Sequence, residues 1–189
     1  MLIDHTGHIF FPDMMILRII GRLSLPLFAY CIAQGYQSTG NLKKYILRLL
    51  LFAVIAQIPY SYFNQTRLNI LFCFVLALLI LKLKEQHGSW IYLFLLPLSF
   101  LHLEYGVYSI ALVIAFYKMQ EDRKKGTILL ILSTITYSII YLQYLQVLSI
   151  ITLILIPSLE KIRFKLNKYV FYWIYPVQWM ALVSIKLLM

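Results

Sequence analysis

Apolar residues fill this chain in long blocks broken only by short polar turns. An opening piece at 1–11 is followed by blocks at 14–36, 45–63, 68–83, 90–103, 105–117, 127–145, 147–159 and 169–188. Each block predicts a helix that crosses or enters a bilayer. Several are shorter than the roughly 20 residues of a perpendicular span. Short spans at this density predict a compact bundle with half-length or broken helices, which a membrane tolerates where protein or a cavity surrounds them. Pro26, Pro59, Pro97, Pro157 and Pro176 fall inside the blocks or at their ends, where each removes a backbone donor and favours a kink. The expected fold class is all-α: a polytopic transmembrane helix bundle with a partial first helix and about eight further membrane segments, forming a single domain over residues 1–189.

Composition sharpens this picture. The chain is 62% apolar and 13% charged, against about half and about a quarter for a soluble domain. Its mean hydropathy of +0.82 exceeds what a water-soluble core requires. The net charge of +10 would suit a nucleic-acid binder, but the basic residues are spread over turns between apolar blocks. That distribution makes the lipid bilayer the expected partner and argues against nucleic acid. Cys31 and Cys73 lie in apolar blocks and read as buried thiols, with no metal-type spacing between them. The first residues lack a basic leader and a full apolar stretch, so no cleavable signal is expected.

The placement of charge gives an orientation. Lys43, Lys44 and Arg48 mark one turn, and Lys82 and Lys84 the next but one. Lys118, Arg123, Lys124 and Lys125 follow on the same alternation, then Lys161, Arg163, Lys165 and Lys168. The intervening turns hold only Arg67, with Lys186 near the C-terminus. The excess of basic residues on cytoplasmic loops therefore predicts a multi-pass cell-membrane protein with these turns in the cytoplasm and the C-terminus outside. Asp4, Asp13 and Glu104 then fall on the outer side, with Tyr60, Tyr62, Phe63, Tyr141 and Tyr144 as an aromatic belt.

Ionisable groups within apolar blocks are costly and point to function. Arg22 lies near the middle of its block, too deep for easy snorkelling, and Arg18 precedes it by one turn. Two guanidiniums on one face of an apolar helix suit a carboxylate or a phosphate. The structural alternative is an ion pair of Arg22 with Asp4, Asp13 or Glu104, with Arg18 reaching the interface. The opening Asp4-His5-Thr6-Gly7-His8 supplies a candidate general base in His5. Neighbouring helical residues do not face each other, so Asp4 is expected to reach an arginine on the next helix while His5 faces a cavity. The spacing of Asp4, His5 and His8 would permit a metal, but two histidines and a carboxylate are weak evidence, and no metal is expected. Asn69 suits a helix cap, and Glu104 a solvated carboxylate at a helix start. Gln34, Gln57 and Gln178 are expected to hydrogen-bond across helices.

Ordered motifs then carry a resemblance. Met1-Leu2-Ile3-Asp4-His5-x-Gly7 resembles the start of the TraX family, membrane proteins linked to acetylation of conjugative pilin. Further matches follow along the whole chain: Arg18-x-Ile-Gly-Arg22-Leu-x-x-Pro26-Leu-Phe-Ala29, Gly35, Tyr45-x-x-Arg48-Leu, Ile58-Pro59, Asn69-x-Leu-Phe72, Tyr105-Gly106-Val107, and Lys168-Tyr169-x-Phe-Tyr172-x-x-Tyr175-Pro176. The resemblance implies a membrane acyltransferase that moves an acetyl group from acetyl-CoA to an amine or hydroxyl of a peptide or envelope acceptor. His5, Asp4 and Arg22 would be catalytic, Arg18 and Arg48 would hold the acyl-CoA, and Asn69, Glu104 and Tyr105 would contact the acceptor. The chain departs from the family pattern at Gln34, Gln57 and Ser61, where acids are usual, at Glu104, where aspartate is, and at Gln178, where histidine is. Those departures imply an altered acceptor or a lost activity. The alternative class is a non-enzymatic transporter or an assembly factor for an exported peptide, in which the arginine pair holds an anion and His5 is dispensable.

Overall fold

A computed structural model describes residues 2–11, 13–161 and 168–188, with the side chains of His8, 159–161 and 168–171 outside the description. The basic turn at Lys161, Arg163, Lys165 and Lys168 therefore lies outside the described residues or their side chains. The elements are α1 (Leu2–Phe10), α2 (Met15–Gly21), α3 (Ser24–Ser38), α4 (Leu42–Phe63), α5 (Ile70–His87), α6 (Leu95–Leu98), α7 (Gly106–Glu121), α8 (Arg123–Ile140), α9 (Thr152–Lys161) and α10 (Lys168–Leu188). Two 3₁₀ segments, Ser89–Phe94 and Tyr144–Ile151, precede α6 and α9. The fold is all-α; among the described residues, extended pairing is limited to one isolated bridge between Leu68 and Leu103.

Helix starts follow the polar punctuation of the sequence. Asn41 Oδ1 accepts from Lys44 N at 2.9 Å, Asn69 Oδ1 from Leu71 N at 3.0 Å, and Asp122 Oδ1 from Lys125 N at 3.2 Å. Each cap stabilises its helix by about 1 kcal/mol. The Lys125 backbone N–H, and then its side chain, hold the Asp122 carboxyl below its ordinary range. Gly88 ends α5 at φ 93°, a conformation that favours glycine. Pro59, Pro157 and Pro176 lie inside α4, α9 and α10.

The membrane segments are shorter and more broken than the blocks suggest. Among the described residues, two helical stretches have the length and apolarity to cross a bilayer, Met15–Ser38 and Leu42–Phe63, rather than about eight. The 90–103 block folds as a 3₁₀ segment and a four-residue helix, and the 147–159 block divides between a 3₁₀ segment and α9. Charges enter the end of α5 at Lys82, Lys84 and Glu85. Apolarity alone does not set helix length; turns and charges cut the blocks.

What remains outside these helices is still oily. Leu47, Leu51, Val54 and Ile58 form an exposed row along α4, and Ile128, Leu132, Ile135 and Ile139 another along α8. Their spacing is that of one helical face. Each such side chain gains roughly 1.5–3 kcal/mol on leaving water, so each row favours hydrocarbon by several kcal/mol. With two helices of spanning length, these rows mark a membrane protein. Cys31 is exposed on α3, contrary to its reading as buried, while Cys73 is buried.

The chain gathers into two compact units, Met1–Ala33 with Ala111–Leu166 and Gln34–Ile110 with Asn167–Met189. In the first, α1 folds back antiparallel on α2, placing Gly7 against Leu17 and Gly21 against Asp4. Tyr30 meets Phe116 edge-on with ring centroids 5.6 Å apart. In the second, α4 packs on both α5 and α10. Tyr172, Tyr175, Trp179 and Leu182 line the buried face of α10, and α5 is buried on nearly every side.

The α1–α2 contact depends on a missing side chain. A Cβ at residue 21 would stand 2.7 Å from Asp4 Cα, so α1 would have to move. Gly21→Ala is expected to cost roughly 1–3 kcal/mol, lowering the unfolding temperature of the detergent-solubilised protein. Gly40→Ala, with nothing within 4 Å of its Cβ, should leave that temperature unchanged.

Candidate functional site

The first unit places Asp4, Arg18 and Arg22 within one small assembly. α2 stops at Gly21 and α3 restarts at Ser24, so Arg22 sits at a break, with Arg18 in the last turn of α2 before it. The break is tied by the Arg22 N–H on the Arg18 carbonyl (3.1 Å), the Leu23 N–H on Ile20 O (3.3 Å) and Ser24 Oγ donating to Gly21 O (2.6 Å). The first of these keeps Arg18 and Arg22 one helical turn apart. Asp4 is buried with its Cβ and Oδ1 against Gly21, the residue before Arg22. His5 is half-buried on α1. The side chain of His8 lies outside the described residues.

Arg22 is 9% exposed, and its Nη1 donates to Gln146 Oε1 over a long 3.4 Å. Its Nε is buried with no acceptor, and so is Nε of Arg18. Among the described residues, no ion pair reaches either side chain. The structural alternative for Arg22, a salt bridge to Asp4 or Asp13, is thus not formed; the guanidinium turns to a neutral amide instead. Gln146 is fully buried on the 3₁₀ segment before α9, as are Ser149 and Thr152 beyond it. Thr134 and Ser138 of α8 are buried as well, with Ser138 Oγ donating to Thr134 O at 2.8 Å. This unit therefore holds a buried polar layer and a guanidinium that makes no ion pair among the described residues, an arrangement suited to an oxyanion.

The second unit places the remaining candidates. Asn69 is fully buried and committed to the protein: beyond its cap, Nδ2 donates to Ala53 O (2.8 Å) and Gln57 Oε1 (2.9 Å). Gln57 also accepts from Asn69 N and donates to Ser61 Oγ and Arg67 O, each at 3.0 Å, so it clamps α4 to the start of α5. Glu104 is buried rather than solvated. Its Oε2 accepts from Ile70 N (2.8 Å), in the first turn of α5, and from the Tyr175 hydroxyl (3.0 Å). A carboxylate there is favoured by the positive end of α5, not of its own helix. Leu68 N–H donates to His102 O and Glu104 N–H to Leu68 O, both at 2.9 Å, stitching the two turns together. Tyr105 has φ 58°, a left-handed conformation that is unusual for a bulky side chain and costs of order 1–3 kcal/mol.

Asn69 and Glu104 thus meet at the start of α5. Arg48 stands apart: Asn69 reaches α4 at Ala53 and Gln57, about 8 and 14 Å further along the axis. Arg48 lies over the Tyr172 ring at 5.9 Å, beside the stacked Phe52–Tyr172 pair, and its Nε is buried with no acceptor. Among the described residues it makes no ion pair.

The Glu104 knot makes a stability prediction. Glu104→Ala leaves the Ile70 N–H and the Tyr175 hydroxyl without this acceptor and is expected to cost roughly 1–3 kcal/mol for each. Tyr175→Phe, which removes only a donor, should cost about 1 kcal/mol. Thermal unfolding of the two purified variants should show that order.

Sequence reasoning missed Gln146 and, although Tyr175 stood in a quoted motif, the contact that Tyr175 makes. Gln146 occupies the single position between two apolar blocks, and an isolated amide there was the available signal. Tyr175 looked like one aromatic among many in its block.

Residues 1–186 match the family described as TraX protein. The chain is 30% identical over 224 aligned positions to a Dichelobacter nodosus protein named "Probable fimbrial assembly protein FimC, serogroup H1", covering 99% of this chain and 91% of that protein. It is 40% identical over 58 residues to an uncharacterized protein of Rickettsia prowazekii (strain Madrid E), covering 31% of this chain and 21% of that one. No solved structure matches the chain.

Proposed function

The chain belongs to the TraX family, and from that premise we propose that it is a multi-pass membrane acyltransferase, moving an acetyl group from acetyl-CoA to an amine or hydroxyl of a peptide or envelope acceptor. The observation that carries this reading is the α1–α2–α3 assembly: Asp4 of the Asp4-His5 pair packs on Gly21, beside Arg18 and Arg22, whose Nε atoms are buried without an acceptor and which make no ion pair among the described residues. An enzyme that handles a thioester and a polyphosphate donor needs positive charge held open for an anion.

In this reading His5 takes the proton of the acceptor amine or hydroxyl as it attacks the thioester carbonyl. The carbonyl oxygen gains negative charge, which the Arg22 guanidinium stabilises. Collapse of the tetrahedral intermediate breaks the carbon–sulfur bond and expels coenzyme A as its thiolate. Asp4, seated on Gly21, fixes the position of α1. Arg18, one turn from Arg22, holds a donor phosphate. The decisive experiment is mass spectrometry of exported peptides and envelope glycans from cells with and without the gene. An acetyl increment that depends on the gene and on His5 supports the enzyme; identical spectra sink it.

The name of the Dichelobacter relative supports a second reading, an assembly factor for an exported peptide. It predicts that assembly survives His5→Ala.

The multi-pass topology makes its own prediction. The turns around Lys43, Lys84, Lys124 and Lys165 should be cytoplasmic and the C-terminus external, from the alternation of basic turns. A periplasm-active reporter fused after Met189 should be active. Activity only from a cytoplasmic reporter at that position would overturn the orientation.

A further inference from the structure

We propose that Gln146 is a positioning residue that holds the Arg22 guanidinium through a neutral carbonyl, leaving its charge available to an oxyanion, a phosphate or carboxylate group bound in the first unit. The inference rests on the reading of Arg22 as an anion clamp, but not on acetyl transfer itself.

The argument begins with what a purely structural arginine would have. A buried guanidinium is expensive unless a carboxylate neutralises it, and a glutamate at position 146 would do so with one atom changed. The chain instead supplies an amide at 3.4 Å, longer than the 2.7–2.9 Å of a charge-assisted pair. Arg22 Nε is left without an acceptor, and Arg18 Nε, one turn earlier, is in the same condition. The positive end of α3 begins two residues after Arg22 and adds to the field. The start of α3 and the two buried Nε groups without acceptors favour an anion, against the negative end of α2 and the Asp4 carboxyl seated on Gly21, and among the described residues no ion pair neutralises either arginine.

Gln146 is placed to hold the guanidinium rather than to follow it. It is fully buried, and its own N–H donates to Gln143 O at 2.8 Å, which fixes the start of the 3₁₀ segment. The next turn is tied by Thr152 Oγ1 donating to Ser149 O at 2.6 Å. The amide thus sits on a braced backbone and limits where the Arg22 fork can point, while the net charge of the pair stays positive.

The test uses the full chain in phosphatidylcholine nanodiscs, with unfolding followed by tryptophan fluorescence. Wild type, Gln146→Glu and Gln146→Met are each titrated with inorganic pyrophosphate, sodium acetate and coenzyme A, and the series is repeated with phosphatidylglycerol in the disc. Wild type is expected to unfold several degrees higher with at least one of these anions. Gln146→Glu should unfold no lower than wild type without ligand and show no anion-dependent rise, because its carboxylate now occupies Arg22. Gln146→Met keeps the charge open but loses the hold, so its half-saturating concentration should increase at least tenfold. A rise with pyrophosphate or coenzyme A assigns a soluble phosphate, a rise with acetate a carboxylate, and a rise only with phosphatidylglycerol a lipid headgroup. No rise in wild type with any probe overturns the inference, as does an undiminished rise in Gln146→Glu. Where Gln146→Glu does not fold, wild-type half-saturation in Gln146→Met overturns it. Acetyl transfer measured on the same preparations separates the two ideas. Anion binding without transfer sinks the enzyme alone, and transfer with binding indifferent to residue 146 sinks the positioning role alone.

Discussion

Arg22→Met is expected to accumulate in membranes at wild-type level or above and to lose roughly 10²–10³ of acetyl transfer, as removal of one oxyanion donor does elsewhere. The two halves of this expectation have one cause. Arg22 is buried, and among the described residues its guanidinium meets the neutral Gln146 carbonyl and makes no ion pair, so its charge is a cost to the fold. Replacing an unneutralised buried charge by an apolar side chain of similar length removes that cost. The opposite result, a clear fall in abundance and unfolding temperature, would mean that Arg22 is a structural pillar. Arg22→Lys keeps the charge but gives up the planar fork. It should fold normally and retain a small fraction of the transfer activity, since a point charge satisfies an oxyanion less well than paired donors. Abundance, thermal unfolding and transfer measured together on both variants decide the matter.

The second large effect belongs to His5. As the general base it should contribute roughly 10²–10⁴ to the rate, so His5→Ala is expected to reduce transfer to near background while leaving insertion and abundance unchanged. His5 is only half-buried on a nine-residue helix, and its loss opens no large hole in the core. His5→Gln, similar in size but unable to accept a proton at neutral pH, should not restore transfer. Near-wild-type transfer by purified His5→Ala protein would remove the histidine from the mechanism and favour an assembly role. The pairing of the two experiments is informative because the variants fail differently. Arg22→Met should abolish anion binding as well as transfer, whereas His5→Ala should still bind the donor.

The candidate residues were legible before any geometry was known, and the reason is energetic. A bilayer makes every ionisable group conspicuous, so Asp4, His5, Arg18 and Arg22 stood out by being expensive. Asn69 was legible as a helix cap because capping chemistry is local. Gln57 was legible as a link across helices, although not as the clamp that holds the start of α5. Glu104 was misjudged as solvated because the α5 terminus that it serves is remote in sequence, with Glu104 and Ile70 on different turns. Cys31 and Cys73 look alike in sequence, yet one is exposed and the other buried. Burial depends on which face of a helix meets a neighbour, and helices apolar all round do not reveal that face.

The sequence by itself determined the class of the protein: all-helical, bound to the bilayer, with a cap at Asn69 and costly ionisable groups inside the opening apolar segments. These follow from composition and short-range pattern, where each residue acts through its own solvation or through neighbours within one turn. Only the tertiary structure decided where the apolar blocks break, which face of each is exposed, and what each buried polar group touches. Arg22 shows the division most clearly. Its cost in a membrane is intrinsic, so the sequence exposed it; its partner, Gln146, lies 124 positions away. Contacts at that separation depend on the packing of several helices at once, and no local energy encodes them.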